Sequence, residues 1–208
     1  MIQEIIQGVP FVFETDESLF SPMAVDKGTL AMLSTVEFQP SDAVLDLGCG
    51  YGVVGILAAK KIGAERVTMC DLSKRAVELS LENAERNEVV GVIVRQSNGF
   101  EQIEGREFTV ILSNPPYHTD FSVAKHFIEE GYRRLVEGGR MVMVTKRLDW
   151  YKNKLTSVFG GVRVQEIDGY YVFCAEKRKR PAKKEKPVKT MSKKLERKYA
   201  GKKKGVHR

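Results

Sequence analysis

Four consecutive residues, Asn114-Pro115-Pro116-Tyr117, follow the apolar run "FTVIL" (108–112). Each proline removes a backbone donor and fixes φ, so the turn is stiff and the Pro115 carbonyl is held in place. Asn114 adds a side-chain carbonyl. Two converging acceptors hold an –NH₂ group by both of its hydrogens. An amine conjugated to a ring or carbonyl is a poor nucleophile, because its lone pair is delocalised. Gripping its hydrogens favours a pyramidal nitrogen and aims the lone pair at an electrophile. Tyr117 offers a flat face for a planar group to stack on. Taken alone, the tetrapeptide reads better as a Pro-rich turn closing a strand, so its surroundings decide.

Those surroundings repeat one theme, polar or glycine residues just past an apolar run. "LDLGCGYGVVG" carries Asp46 and then Gly48, Gly50 and Gly52 at alternate positions. Glycine lets the backbone turn sharply and approach a ligand with no Cβ in the way. Asp71 closes the next run, 23 residues after Gly48. An acid there accepts hydrogen bonds from both hydroxyls of a ribose. Ser97-Asn98 follow the third run and suit the edge of an adenine. Together these residues fit an adenosine-bearing cofactor. Gly50-x-Gly52-x-x-Gly55 also matches the dinucleotide fingerprint, with Asp71 at a suitable distance, so a nicotinamide cofactor stays open on these residues. The Asn-Pro-Pro-Tyr turn weighs against it, because hydride transfer needs no device that holds an amine.

The elements that must position these residues alternate. Strands are expected at "AVLDL" (43–47), "RVTMC" (66–70), "GVIVR" (91–95), "FTVIL" (108–112) and "MVMVT" (141–145). "VVGILAAKK" reads as a helix. Ser73 caps a second helix, with Val77, Leu81 and Ala84 on one face. Ala124, Phe127, Ile128, Gly131 and Leu135 mark a third, ended by "EGG". Residues 149–158 form a short helix, and "VRVQEI" and "YYVFCA" pair around "DG" as a hairpin. Strands separated by helices imply an α/β fold, a doubly wound parallel sheet with helices on both faces. Ligands bind such sheets beyond the carboxyl ends of the strands.

With 208 residues, 42% of them hydrophobic, the chain suits one domain with a sizeable core. It has no apolar run of about 18 residues, so no transmembrane helix and no membrane partner are expected. Its start lacks the basic and apolar regions of a secretory signal. Cys49, Cys70 and Cys174 are widely spaced and read as reduced thiols of a cytoplasmic protein, with no metal site. Residues 176–208 hold 16 of the 34 Lys and Arg and 3 of the 27 Asp and Glu, a net +13, and the other 175 residues come to −6. We therefore expect one domain over residues 1–176 and a disordered basic tail over 177–208. The acidic domain repels polyanions, so the tail is assigned to attracting RNA phosphates. His118 reads as a loop residue or RNA contact, not as a catalyst. "KRLDWYKNK" (146–154) reads as a surface helix.

In "LFSPMAVDKGTLAML", "VLDLGCGYGVVG", "CDLSKRAVELSLENA", "ILSNPPYH" and "LVEGGRMVMV" the chain resembles the class I S-adenosylmethionine-dependent methyltransferases. Within them it resembles the small-domain group, which includes the ribosomal small-subunit guanine-N2 enzymes. The likeness runs from about Phe11 to Glu176. It implies a Rossmann-like sheet of seven strands, in family order 3-2-1-4-5-7-6 with one strand reversed, and S-adenosylmethionine as cofactor. It also implies that Gly48 and Gly50 pass beneath the methionine part, with Asp46 beside them. Asp71 would bind the ribose, Leu72 flank the adenine and Asn98 contact its amino edge. Asn114 and Pro115 would hold the target amine, with Tyr117 against the base. The implied acceptor is an exocyclic amine of RNA, guanine N2 of ribosomal RNA first. Tyr117 is also typical of adenine-N6 and glutamine-N5 enzymes. The guanine-N2 enzymes carry a second, degenerate methyltransferase domain upstream, and the resemblance in these 208 residues does not include one.

Overall fold

A computed structural model describes residues 1–103, 105, 107–116 and 121–179. Two short strands, β1 (Ile2–Ile6) and β2 (Val9–Phe13), form an antiparallel hairpin. Helix α1 (Lys27–Ser34) follows, then β3 (Val44–Leu47), α2 (Val53–Ile62), β4 (Val67–Asp71), α3 (Lys74–Arg86) and β5 (Ile93–Gln96). The chain continues through β6 (Phe108–Ser113), α4 (Phe121–Arg134), β7 (Leu135–Thr145), α5 (Leu148–Phe159), β8 (Arg163–Ile167) and β9 (Tyr170–Glu176).

Seven strands build one sheet in the order β5-β4-β3-β6-β7-β9-β8, and β9 alone runs against its neighbours. Counted from β3, this is the 3-2-1-4-5-7-6 arrangement expected from the sequence. The Asp168-Gly169 turn between β8 and β9 has both residues at positive φ, the geometry that a two-residue hairpin loop requires.

Alternation along the strands divides the core in two. Val44, Val110, Leu112, Val142 and Val144 face α1, α2 and α3. Leu45, Leu47, Ile111, Met141 and Met143 face α4 and α5. Burial on both faces explains why the strands read as continuous apolar runs.

Three features differ from the sequence reading. Leu135 does not continue the inner face of α4. It opens β7, pairs with Phe108 and is fully buried. The two glycines after it belong to the ladder, since Gly138 donates to the Lys177 carbonyl and Gly139 accepts from the Lys177 N–H, both at 2.8 Å. Leu81 is 44% exposed, and the inner face of α3 carries Leu79, Ser80 and Asn83 instead.

The third feature is the amino-terminal hairpin, which periodicity did not reveal. Two buried asparagines one turn apart hold it, Asn83 on α3 and Asn87 at its carboxyl-terminal cap. Asn87 accepts from the Val12 N–H at 3.0 Å and donates to the Val12 carbonyl at 2.8 Å. Asn83 does the same for Glu14, at 2.7 and 2.9 Å. Their amides thus take the place of a neighbouring strand along one edge of the hairpin.

Candidate active site

Helix α2 starts directly after the glycine turn that ends β3. Gly48 and Gly50 have φ of +79° and +56°, which side-chain-bearing residues rarely adopt. The N–H groups of Gly48 and Cys49 both bond to the Cys70 carbonyl at 2.9 Å, which fastens the turn to the end of β4. The next donor, Gly50 N–H, bonds to Asp71 Oδ2 at 2.9 Å. Asp71 Oδ1 accepts from the Ser73 N–H at the cap of α3, also at 2.9 Å. Each carboxylate oxygen keeps a second lone pair for a ligand.

Asp46 lies beneath this turn, only 2% exposed, and its Oδ2 accepts from the Gly55 N–H at 2.8 Å. Burial pushes its carboxyl up to about 7; the Gly55 hydrogen bond opposes the shift and the nearby Asp71 charge adds to it. Gly55, the third glycine of the fingerprint, serves packing. A Cβ there would stand 2.2 Å from the Met69 sulfur, so glycine lets α2 lie close on β4.

Leu72 is 66% exposed. Asn98 is also exposed, and its Nδ2 donates to Glu101 Oε1 at 3.0 Å. That fixes the amide so that Oδ1 remains to accept from an amino group. Ser97 also lines the cavity, and its hydroxyl is engaged within its own turn, donating to the Gly99 carbonyl and accepting from the Gln102 N–H.

β6 ends one residue before Asn114. Asn114 Nδ2 donates to Asp26 Oδ2 at 2.8 Å and to Thr29 Oγ1 at 3.0 Å. Its carbonyl oxygen, Oδ1, is buried and has no hydrogen-bond partner among the described residues. Pro115 beside it is buried. Tyr117 and His118 lie outside the described residues, as does the tail beyond Lys179.

Asp46, Gly48, Gly50, Asp71, Leu72, Asn98, Asn114 and Pro115 all line one cavity of about 400 Å³ past the carboxyl ends of the parallel strands. The sequence reading missed the segment that closes it. Ser18 to Ser21, Val25, Asp26 and Thr29 form part of the wall. Arg75 on α3 ties this segment down, with Nε 2.9 Å from Asp16 Oδ2. Hydrogen bonds from Ser18, and then Arg75, hold the Asp16 carboxyl down at about 2. The available signal was Asp26-x-x-Thr29 ahead of an apolar run, a helix start, and its side chain does accept from the Thr29 N–H at 2.8 Å.

The cavity offers a carboxylate, an exposed apolar side chain, a free amide oxygen and a glycine turn, a set that fits an adenosine-bearing ligand. Sheets of this order carry the methyltransferases that use S-adenosylmethionine, and that is the class in which this chain falls. Residues 10–174 match the methyltransferase small domain, and the chain belongs to that family.

Protein YbxB of Bacillus subtilis, itself uncharacterized, is 33% identical over 173 residues, 80% of this chain and 86% of that one. Ribosomal RNA small subunit methyltransferase C of Cronobacter sakazakii is 36% identical over 162 residues, covering 76% of this chain and 47% of its own. Among solved structures, the T. thermophilus 16S rRNA N2 G1207 methyltransferase, in complex with AdoMet and guanosine, superposes with a TM-score of 0.78 at 28% identity. It covers 85% of this chain and 50% of its own. The chain thus spans about half the length of these ribosomal RNA methyltransferases. No helix among the described residues is long and apolar enough to cross a membrane.

Proposed function

We propose that the chain transfers a methyl group from S-adenosylmethionine to an exocyclic amine of RNA, guanine N2 of ribosomal RNA. The observation that carries this reading is the Asn114 amide. Its nitrogen is committed to Asp26 and Thr29, and its buried oxygen is an acceptor without a donor among the described residues, beside Pro115 in the same cavity as Asp71. Leaving such an oxygen unpaired costs about 1–3 kcal/mol, and a donor bound there regains it. The ribosomal RNA methyltransferases among its relatives give the acceptor class.

When bound, S-adenosylmethionine supplies a methyl group on a sulfonium, an electrophile ready for in-line displacement. Asp71 accepts from the ribose hydroxyls, Leu72 covers the adenine face and Asn98 Oδ1 accepts from its amino group. Gly48 and Gly50 leave room for the methionine part, above Asp46. Asn114 Oδ1 and the Pro115 carbonyl hold the amine hydrogens and orient its lone pair, with Tyr117 against the base. The amine nitrogen would bond to the methyl carbon as the bond from that carbon to sulfur breaks, S-adenosylhomocysteine would leave with the electron pair, and the extra proton on the methylated nitrogen would pass to solvent. The work is alignment and exclusion of water, with no strong base needed before attack. A target base in a helix is flipped out to reach the cavity. Residues 177–208 supply phosphate contacts, and the reaction belongs to the cytoplasm, where ribosomes are.

The test is incubation of the protein with labelled S-adenosylmethionine and small-subunit ribosomal RNA, followed by mass spectrometry of the nucleosides. N2-methylguanosine is expected. N6-methyladenosine would move the acceptor to adenine. Label in ribosome-associated protein, with none in RNA, would replace RNA by a protein glutamine.

A further inference from the structure

Asp26 stands 88 residues before Asn114 in the chain, yet its Oδ2 accepts both the Thr29 N–H and the Asn114 Nδ2–H at 2.8 Å. An amide can be turned over, exchanging its oxygen and nitrogen, at little change in shape. A carboxylate cannot donate, so it admits only the orientation that brings Nδ2 toward it. Thr29 Oγ1 takes the second amide hydrogen at 3.0 Å. With both donors engaged on one side, the amide oxygen is left on the other, buried and unpaired among the described residues. A hydrogen bond to a charged acceptor is also stronger than a neutral one and withdraws electron density from nitrogen toward Oδ1.

We propose that Asp26 is a positioning residue for methyl transfer: from the cap of α1 it sets the orientation of the Asn114 amide and sharpens its oxygen as the acceptor for the target amine. This deepens the proposed function and rests on it for the identity of the amine. The first turn of α1 is then part of the apparatus at the end of β6, joined to it by two hydrogen bonds.

The informative variant is Asp26→Ser. Serine caps a helix as well as aspartate does, so α1 keeps its start. Its short hydroxyl does not reach Asn114. With RNA as substrate, kcat should fall about tenfold or more, the loss of a charge-assisted bond. KM for RNA and the affinity for S-adenosylmethionine should stay within about twofold. The second arm is the exchanged pair, Asp26→Asn with Asn114→Asp. There the amide at 26 donates to the carboxylate at 114 and leaves one of its oxygens as acceptor. It should exceed Asn114→Asp alone by about tenfold in kcat, a coupling that a purely structural cap would not produce.

A readout independent of turnover is hydrogen exchange of the Asn114 side-chain amide by NMR, assigned by its loss in Asn114→Ala. Exchange should be slow in the native protein and about tenfold faster in Asp26→Ser. A kcat within twofold of wild type in Asp26→Ser overturns the proposal, as does a fall in kcat matched by an equal fall in cofactor affinity. If Asn114→Ala also methylates RNA at the wild-type rate, the amine-holding reading itself fails. If only Asp26→Ser does, that reading stands and this inference alone is lost. Should RNA not be the acceptor, unchanged amide exchange in Asp26→Ser is the overturning result.

Discussion

The buried carboxyl of Asp46 accepts the backbone N–H of Gly55 at 2.8 Å, binding the last residues of β3 to the first turn of α2 beneath the cavity. Burial raises its pKa to about 7. In the unfolded chain an aspartate titrates near about 3.9. Between these values the folded state holds a proton that the unfolded state has released. Stability therefore falls as pH rises from about 4 to about 7 and is level above that. Asp46→Asn keeps an acceptor for Gly55 and removes the titration. Its melting temperature should match wild type near pH 3.5 and exceed it at pH 8, where wild type bears a penalty of a few kcal/mol, on the order of 1.4 per pKa unit. Thermal unfolding across this range decides, and parallel curves would mean that Asp46 titrates normally.

Asp71 makes two backbone hydrogen bonds and, in the proposed complex, two more to the ribose. Asp71→Asn keeps the size and one acceptor oxygen. A charged hydrogen bond is worth about 1.5–3 kcal/mol, so S-adenosylmethionine should bind at least about tenfold more weakly. Calorimetric titration measures this, and unchanged affinity would remove Asp71 from the ribose site.

Asn83 is fully buried and holds three backbone groups: the Glu14 N–H, the Glu14 carbonyl and the Tyr51 carbonyl. Asn83→Ala strands all three. Each unsatisfied buried group costs about 1–3 kcal/mol, and partial hydration reduces the sum, so a loss of about 2–4 kcal/mol is expected. Denaturant unfolding gives the number. Because Tyr51 sits inside the glycine turn, cofactor affinity should fall as well. A variant destabilised by less than about 0.5 kcal/mol would show that the hairpin does not depend on this amide.

Residues 180–208 carry a net charge of +11. A chain cut after Lys179 keeps every described element, including the Lys177 bonds to β7. It should fold and bind S-adenosylmethionine as the full chain does. Each lost phosphate contact makes the log–log salt slope of RNA binding shallower by about 0.7–0.9. Affinity for RNA measured against salt should give a line shallower by several such steps. Superimposed lines would mean that the tail makes no phosphate contacts.

Sequence and structure agree where the signal is local. Gly48, Asp71 and Asn114 were legible because each stands within two residues of the end of an apolar run, and a strand end fixes its neighbours in space. The sheet order was legible through the family resemblance. What escaped depends on partners distant in the chain. The bond from Asn114 to Asp26 joins residues 88 apart in the chain, which no local pattern announces. Nothing in the helix period says that a hairpin about 70 residues earlier will bond to Asn83 and Asn87. Leu135 fits the spacing of α4 as well as it fits a strand, and its pairing with Phe108 decided the matter.

The ladder contact of Lys177 with Gly138 and Gly139 fixes where the chain leaves the sheet. That point is at the opposite end of β7 from the cavity, about 20 Å away along six residues of strand. The 29 residues that follow Lys179 reach at most about 100 Å when fully drawn out. If these residues bind RNA phosphates as proposed, they do so from an anchor on the far side of the sheet, and a span of that length would raise the local concentration of RNA around the cavity without requiring any contact inside it.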